Sequence, residues 1–361
     1  DAALQLKRQR LSTVDHVLRV AAREEVDAVL CAGDLFDTRT PTEDWWKGLS
    51  DRLRSMTHRC PVYLLPGNHD PLTPESVYHD RHPFRSLLPD WVHVVDREGF
   101  EAPLGDGAVL LAQPTLSGAG GADPALALPN REPGDDRIRV GMVHGTAVQF
   151  PGGPPDFPVA RDAAMQRSLD YLALGDIHDF MEVHPATPAG VGLTLYCGAP
   201  EPTKFGEQGA GSAVLVQLRP HGRAPRYLRE PVGHWHWEQV RCTTLSEVRS
   251  LRERTDLQRM VLRLTLDLAV TLDERQELER IVRELRGSEV DSGAVGLMEP
   301  VDLSTVRLVH GAFAAQLPAH LPHVMHVVHT RLRAQLDDPE LAPAAQTALL
   351  HLHKIISGGP S

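Results

Sequence analysis

Residues 64–71 read LLPGNHDP, and in this stretch an apolar run gives way abruptly to Gly67, Asn68, His69 and Asp70. A short apolar run that stops at a glycine is typical of a buried strand. An amide, an imidazole and a carboxylate at the end of a strand serve no packing purpose, because such side chains are rarely buried without partners. The stretch therefore predicts a strand of an α/β sheet with a functional site at its carboxyl end.

The composition is that of an ordinary globular protein. The chain has 361 residues, of which 42% are hydrophobic and 24% charged, and this length suits a large domain with a smaller one. The net charge of -11 argues against a generally basic nucleic-acid-binding surface, although it leaves room for a local phosphate site. No apolar run approaches the roughly 20 residues of a membrane span. We therefore expect a cytoplasmic protein with no membrane attachment and, because its four cysteines are far apart, with reduced thiols.

Short apolar runs alternate with helical patterns along the first two hundred residues. Leu11, Val14 and Leu18 recur at helical spacing and predict a helix whose apolar face lies on a sheet. The predicted strands are residues 27–32, 62–65, 109–112, 138–143 and 171–174. Residues 118–136 are rich in Gly, Pro, Ala and Asp, which predicts a surface loop. The alternation predicts an α/β layered domain over residues 1–233.

From about His234 the pattern changes to that of a smaller α+β unit. Residues 234–242, HWHWEQVRC, alternate His with Trp at first, as a half-buried strand does. The predicted elements that follow are a helix at 245–254, a strand at 260–266 and a helix at 272–285. We expect a cap domain over residues 234–311 and a mostly helical C-terminal arm over residues 312–361.

Potential metal ligands follow four of the predicted strands. In chain order they are Asp34 with Asp37, the run Asn68-His69-Asp70, then His144, and finally Asp176 with His178. Ligands collect beyond the carboxyl ends of strands in α/β sheets, so these four ends are expected to converge on one site. Carboxylate, imidazole and amide groups together suit Mn, Fe(II) or Zn. A carboxylate that bridges two such ions is typical of centres that hydrolyse phosphodiesters.

These motifs resemble those of the calcineurin-like metallophosphoesterases, whose signature runs DxH, GD, GNH, a strand-end His and GHxH. Within that superfamily the chain looks most like the SbcD-type nucleases of DNA double-strand-break repair. The segments that carry this likeness are CAGDLFDTRTP (31–41), YLLPGNHDP (63–71) and YCGAPEPTKFGEQGAGSAVLVQL (196–218). The likeness covers about residues 11–233. It implies an α/β fold, a calcineurin-like layered sandwich of mixed sheets flanked by helices, followed by a small α+β cap domain and C-terminal helices.

The resemblance also implies which residues hold the metals. Asp34 would bridge two divalent ions, and Asn68, His144 and Asp176 would complete the coordination of one of them. His178 would serve the other ion. The ions are expected to be Mn, with Mg, Fe or Zn as alternatives.

His69 is the catalytic group that the resemblance implies. It would stabilise the transition state or protonate the leaving oxygen. Asp70 is expected to orient the imidazole of His69, and Asp37 to support the metal ligands from behind, unless Asp37 only caps its turn.

Two features depart from the family pattern. Asp176 stands where the family has the first His of GHxH, and its negative charge favours Mn(II) or Mg. No DxH motif precedes the first predicted helix, so the first strand and two ligands of one ion are missing from the sequence as given. We expect a truncated start rather than a lost site, because the other motifs are intact. With only Asp34 and His178 for that ion, we expect weak occupancy and impaired hydrolysis.

The function expected from the resemblance is that of a metal-dependent exonuclease that acts on DNA ends in repair. The implied partners are DNA and an SbcC-type ATPase of the ABC/SMC-like kind, and a homodimer is one expected arrangement. Two alternatives stay open, because the motifs define the chemistry and not the substrate. One is a phosphoesterase for a small molecule or a phosphoprotein. The other is a non-catalytic subunit that binds DNA or the ATPase.

Overall fold

The computed structural model describes residues 2–147, 155–188, 190–219, 224–287, 294–309 and 317–356 of the chain. The chain separates into two compact units, residues 1–237 and residues 238–361. All of the candidate metal ligands lie in the first unit.

Two sheets form the centre of the first unit. The smaller sheet consists of β1 (Val29–Cys31), β2 (Val62–Leu64) and β3 (Val92–Val94), which are parallel and lie in that order. The strands of the larger sheet are β4 (Phe100–Pro103), β5 (Ala108–Gln113), β6 (Ile138–His144), β7 (Tyr171–Gly175), β8 (Met181–His184) and β9 (Leu193–Tyr196). Their order across the sheet is β4, β5, β6, β7, β9, β8. The four inner strands are parallel, whereas β4 and β8 at the edges are antiparallel to their neighbours.

The two sheets share a hydrophobic core. Leu110 and Ala112 of β5 point into it together with Tyr63 of β2, whereas Val109 and Leu111 pack on the other face of the larger sheet. Successive side chains of a strand point to opposite faces. An unbroken apolar run such as that of β5 therefore indicates a strand that is buried on both faces.

Helices cover the outer faces of both sheets. The helices beside the smaller sheet are α1 (Ala2–Arg23), α2 (Glu43–Arg54) and α3 (Pro83–Leu87), and a short helix, α4 (Ala163–Gln166), packs on the larger sheet. Leu18 of α1 and Leu49 of α2 share one buried cluster with Val62 of β2. An antiparallel hairpin, β10 (Ser212–Gln217) and β11 (Arg226–Pro231), follows. The predicted α/β layered sandwich of mixed sheets is thereby confirmed.

The second unit contains a three-stranded sheet, a two-stranded sheet and, between their strands in the chain, two helices. These elements are β12 (His236–Cys242), α5 (Leu245–Arg252), β13 (Met260–Leu266), β14 (Ala269–Val270), α6 (Leu272–Leu285), β15 (Leu297–Met298) and β16 (Arg307–Leu308). The three-stranded sheet has the order β12-β13-β15, and the two-stranded sheet is β14-β16. Both helices begin with a capping box, in which Thr244 pairs with Glu247 and Thr271 with Glu274. These reciprocal hydrogen bonds satisfy backbone donors that the first turn leaves free, so they fix where each helix starts.

Two further helices, α7 (His323–Ala334) and α8 (Ala342–Ile356), end the described part of the chain. They lie in the predicted helical arm, whose residues 312–316 and 357–361 are outside the described ranges. None of the helices in the described ranges combines the length and the apolar character needed to cross a membrane. The division into a cap domain over 234–311 and an arm over 312–361 stays a prediction.

Candidate metal centre

The carboxyl ends of two parallel strands from each sheet bring the candidate ligands together. Asp34 follows β1, Asn68 follows β2, His144 is the last residue of β6, and Asp176 follows β7. Ligand atoms of Asp34, His144 and Asp176 all lie within 4.8 Å of one another. Because parallel strands end at a common edge, residues far apart in sequence meet there.

His144 is the centre of this cluster. Its side chain is 1% exposed, and its Nδ1 donates to the carbonyl of Ala32 at 2.9 Å. A carbonyl only accepts, so the hydrogen sits on Nδ1 and the Nε2 atom is left to face the site. Nε2 lies 2.9 Å from Oδ1 of Asn68, 3.3 Å from Oδ2 of Asp34 and 3.9 Å from Oδ1 of Asp176. A lone pair that faces three oxygen acceptors requires a positive centre between them, either a proton or a cation.

The pKa shifts of Asp34 and His144 express the same requirement. Burial raises the pKa of Asp34, but the hydrogen bond and the charge of His144 outweigh burial, and the pKa is lowered. Burial lowers the pKa of His144, whereas the hydrogen bond to Asp34 and the Asp34 charge raise it above its ordinary value. Each group thus stabilises the charged form of the other, which leaves a site that prefers to hold positive charge.

The backbone of both acidic ligands has positive φ. Asp34 has φ +52° and Asp176 has φ +106°. Residues other than glycine adopt such values rarely, and they cluster at functional sites where the surrounding structure holds them. The carboxylate of Asp176 is further fixed by Thr146, whose hydroxyl donates to Oδ2 and leaves Oδ1 toward His144.

His69 lies at the exposed rim of the cluster. Its side chain is 55% exposed, and its Nδ1 lies 3.7 Å from Oδ1 of Asp37, which is itself exposed. Its backbone N–H donates to Oδ1 of Asp34 at 3.0 Å. The imidazole is therefore open to a substrate, while the backbone of the same residue holds the ligand Asp34.

Residues 8–180 match the family model described as calcineurin-like phosphoesterase. The match covers just under half of the chain. The uncharacterized metallophosphoesterase YhaO of Bacillus subtilis (strain 168) is 29% identical over 220 residues, which cover 59% of this chain and 50% of that protein. The chain thus spans half of the length of this relative. The crystal structure of TT1561 from Thermus thermophilus is similar with a TM-score of 0.38 at 13% identity, covering 61% of this chain and 93% of that one.

The metallophosphoesterase resemblance predicted from the motifs is confirmed at the level of the superfamily. The residues present also fit the divalent ions that such phosphoesterases bind. Two carboxylates within 4.8 Å of each other repel unless a cation lies between them. Carboxylate and amide oxygens with one imidazole nitrogen form a donor set that hard and borderline divalent ions accept.

Asp70 occupies a different place in the first unit from the one expected. Its carboxylate is fully buried and accepts from the backbone N–H groups of Gly67 at 2.8 Å and Phe36 at 2.9 Å and from the hydroxyl of Tyr78 at 2.7 Å. These contacts tie the loop after β1 to the loop after β2. They do not fit the predicted role in orienting the imidazole of His69, whose nearest carboxylate contact is Asp37. A buried carboxylate needs hydrogen-bond donors, and here the backbone N–H groups of the two tight loops supply them.

Removing the Tyr78 hydroxyl tests this arrangement. Burial raises the pKa of Asp70 to about 6 although its hydrogen bonds act in the opposite direction, so the carboxylate is ionised well above that pH. Tyr78→Phe is expected to lower the free energy of unfolding by about 2 kcal/mol there, because a buried charge loses one donor. The loss is expected to shrink below the pKa, where the protonated carboxyl forms a weaker hydrogen bond.

Urea denaturation of the wild type and of Tyr78→Phe, once well above pH 6 and once below it, measures the effect. Tyr227→Phe is the matched control, because the hydroxyl of Tyr227 donates to Glu182 at an exposed position and its loss should cost only about 0.5 kcal/mol. Equal losses in the two variants would show that Asp70 does not depend on Tyr78.

His178 is held from behind by residues that the motifs did not reveal. Its Nδ1 lies 2.6 Å from Oε1 of Glu207 and 3.1 Å from the hydroxyl of Thr203. Burial raises the pKa of Glu207, but the hydrogen bonds from His178 and Thr203 outweigh it and hold the pKa at about 2. A carboxylate behind a histidine fixes the ring so that the other nitrogen faces outward. Glu207 lies in the segment FGEQG, which carries none of the strand-end motifs that pointed to the other site residues.

Proposed function

We propose that this protein is a metal-dependent phosphodiesterase that acts on DNA ends. The observation that carries the proposal is the meeting of Asn68, Asp34 and Asp176 around Nε2 of His144, with the exposed imidazole of His69 at the rim. A bound divalent ion supplies Lewis-acid polarisation of a phosphoryl oxygen and lowers the pKa of a bound water.

The chain's own residues divide the remaining work. Asp34, Asn68, His144 and Asp176 would hold one ion, and Mn(II) is our choice because oxygen donors outnumber nitrogen. We assign His178, with Glu207 behind it, to a second ion. His69 would donate a hydrogen bond or a proton to the leaving oxygen, and Asp37, whose Oδ1 lies 3.7 Å from Nδ1 of His69, would help to orient the imidazole.

DNA as the substrate is supported by the segments around Asp34, Asn68 and residues 196–218, which resemble SbcD-type nucleases. Next to His69 the surface opens into a cavity of about 550 Å³, which leaves space for a part of the substrate beside the reacting phosphate. The same resemblance supports an SbcC-type ATPase as partner and a homodimer as assembly.

The test is hydrolysis of linear duplex DNA and of a small chromogenic phosphodiester, each with Mn(II), by the wild type and by His69→Ala. We expect the wild type to cut both substrates, but at a reduced rate, because the second ion has only Asp34 and His178 as ligands. The variant should bind duplex DNA normally but lose at least about 100-fold in kcat, because a positioned acid contributes 10²–10⁴ to the rate.

Other results would decide for the alternatives. Cutting of the small ester without binding or cutting of duplex DNA would indicate a small-molecule or phosphoprotein phosphoesterase. Binding of duplex DNA without turnover of either substrate, unchanged by His69→Ala, would indicate a non-catalytic subunit.

A further inference from the structure

The cavity of about 550 Å³ directly adjoins the candidate metal centre. The residues that line it are Thr38, Arg39, Thr40, Asn68, His69 and Gly118. Two of these residues, Asn68 and His69, belong to the candidate centre itself. A group bound in the cavity would therefore sit next to the reacting phosphate.

Arg39 is the charged residue of this lining. Its side chain is exposed, and among the described residues no carboxylate lies within ion-pair distance of it. The acidic neighbour Asp37 faces His69 and Arg10 instead. An arginine left without a partner beside a site that handles phosphate is available to an anion from outside the chain.

Gly118 makes room for the guanidinium. A Cβ atom at this position would lie 2.6 Å from Nη2 of Arg39 and 3.6 Å from the carbonyl oxygen of Asn68. The Arg39 side chain thus reaches across the loop at Gly118, and that loop borders the backbone of a metal ligand. A residue with a Cβ atom at position 118 would force the guanidinium to move from its present position.

The chemistry of the lining favours an anion. The side chains that face the cavity are a guanidinium, the hydroxyls of Thr38 and Thr40, an amide and an imidazole, and all of them can donate hydrogen bonds. None of the lining residues carries a carboxylate. The net charge of -11 repels polyanions from most of the surface, whereas this patch, which carries a positive charge and no carboxylate, attracts them.

We propose that Arg39 forms a subsite for the phosphate that neighbours the reacting one, so that the substrate is a nucleic-acid strand rather than an isolated phosphodiester. The inference rests on the proposed function, because it assumes that a phosphate reacts at the adjacent centre. Arg39 binds the strand at this subsite and takes no part in bond cleavage. The guanidinium contacts the backbone, so it selects for chain length and not for base sequence.

The experiment measures both binding and turnover for the wild type, Arg39→Ala and Arg39→Lys. Binding of a fluorescent linear duplex is measured by anisotropy in EDTA over a range of salt concentrations, which makes this readout independent of metal. We expect Arg39→Ala to weaken binding about tenfold for every duplex sequence, because one charged hydrogen bond is lost. The slope of log affinity against log salt should fall by about 1. Arg39→Lys should keep the slope and lose part of the affinity, since lysine keeps the charge without the planar pair of donors.

Turnover with Mn(II) supplies the second readout. Arg39→Ala should raise KM for duplex DNA and leave kcat and the KM of the chromogenic phosphodiester unchanged, because the small ester has no neighbouring phosphate. Arg81→Ala is the control, since Arg81 is exposed and lines a separate cavity of about 280 Å³, and it should change neither readout.

Different results would contradict the Arg39 subsite and the proposed function. If the wild type binds and cuts duplex DNA and Arg39→Ala keeps the full salt slope, or if KM rises equally for both substrates, the subsite is wrong while the function stands. If the wild type neither binds nor cuts duplex DNA, the proposed substrate fails, and the subsite fails with it.

Discussion

Asp34→Asn is expected to lower the affinity for Mn(II) by at least about 100-fold, because residues that only support a metal ligand already account for 10–100-fold. The substitution isolates the charge, since asparagine tolerates the positive φ of this position as well as aspartate does. Its Oδ1 can still accept from the N–H of His69, but an amide nitrogen replaces the oxygen that lies 3.3 Å from Nε2 of His144. A donor then faces the ion where an anion was.

Isothermal titration of the purified chain with Mn(II) measures this loss. Asp106→Asn is the matched control, because it removes an exposed carboxylate from a turn that carries none of the candidate ligands. Unfolding of Asp34→Asn in urea should remain close to that of the wild type without metal, which separates a damaged site from a damaged fold. If Asp34→Asn binds Mn(II) as tightly as the control, the ion does not sit where these four strand ends meet.

Gly175→Ala is expected to have the largest effect on stability. A Cβ atom at Gly175 would lie 1.7 Å from the carbonyl oxygen of Ala32 and 2.7 Å from Nδ1 of His144. The first of these atoms belongs to the backbone, which cannot rotate aside. The smaller and larger sheets would have to separate at this edge, and we expect the free energy of unfolding to fall by about 4 kcal/mol or more.

Urea denaturation without metal measures this effect, and Gly121→Ala is its control. A Cβ atom at Gly121 meets no other atom within 4 Å, so that variant should stay within about 0.5 kcal/mol of the wild type. If Gly175→Ala were as stable as the wild type, the backbones at Gly175 and Ala32 would have to lie farther apart than they do in this structure.

The fold was most predictable where local patterns carry the information. Met260–Leu266 and Leu272–Leu285 form the predicted strand and helix with the predicted bounds. Alternating burial marks the strand, and the capping box Thr271/Glu274 marks the start of the helix. The first helix begins at Ala2, well before the expected start at Leu11, because most of residues 3–10 are exposed and the buried apolar face begins only later. The three-residue strand Val92–Val94 was missed because so short a run carries no periodicity.

The sequence predicted which residues lie at the ends of strands, but not which partners they contact. Glycine and polar residues after apolar runs located Asp34, Asn68, His144 and Asp176 without any knowledge of their contacts. The partners of these residues depend on how distant segments meet. Asp70 receives its hydrogen bonds from one neighbouring residue and from two others 8 and 34 positions away. Glu207 meets His178 across 29 positions, and no spacing rule spans such intervals.

The hydrogen bond from Nδ1 of His144 to the carbonyl of Ala32 has a thermodynamic consequence. It joins a ligand at the end of β6 in the larger sheet to the residue that follows β1 in the smaller one. The candidate ligands are likewise divided, since Asp34 and Asn68 follow the smaller sheet while His144 and Asp176 end the larger. An ion held by all four residues would link the smaller sheet to the larger one. At a free concentration of 100 times its Kd it would add about 2.7 kcal/mol to the free energy of unfolding. Folding and metal binding would then be thermodynamically linked, so the free metal concentration would set part of the free energy of unfolding.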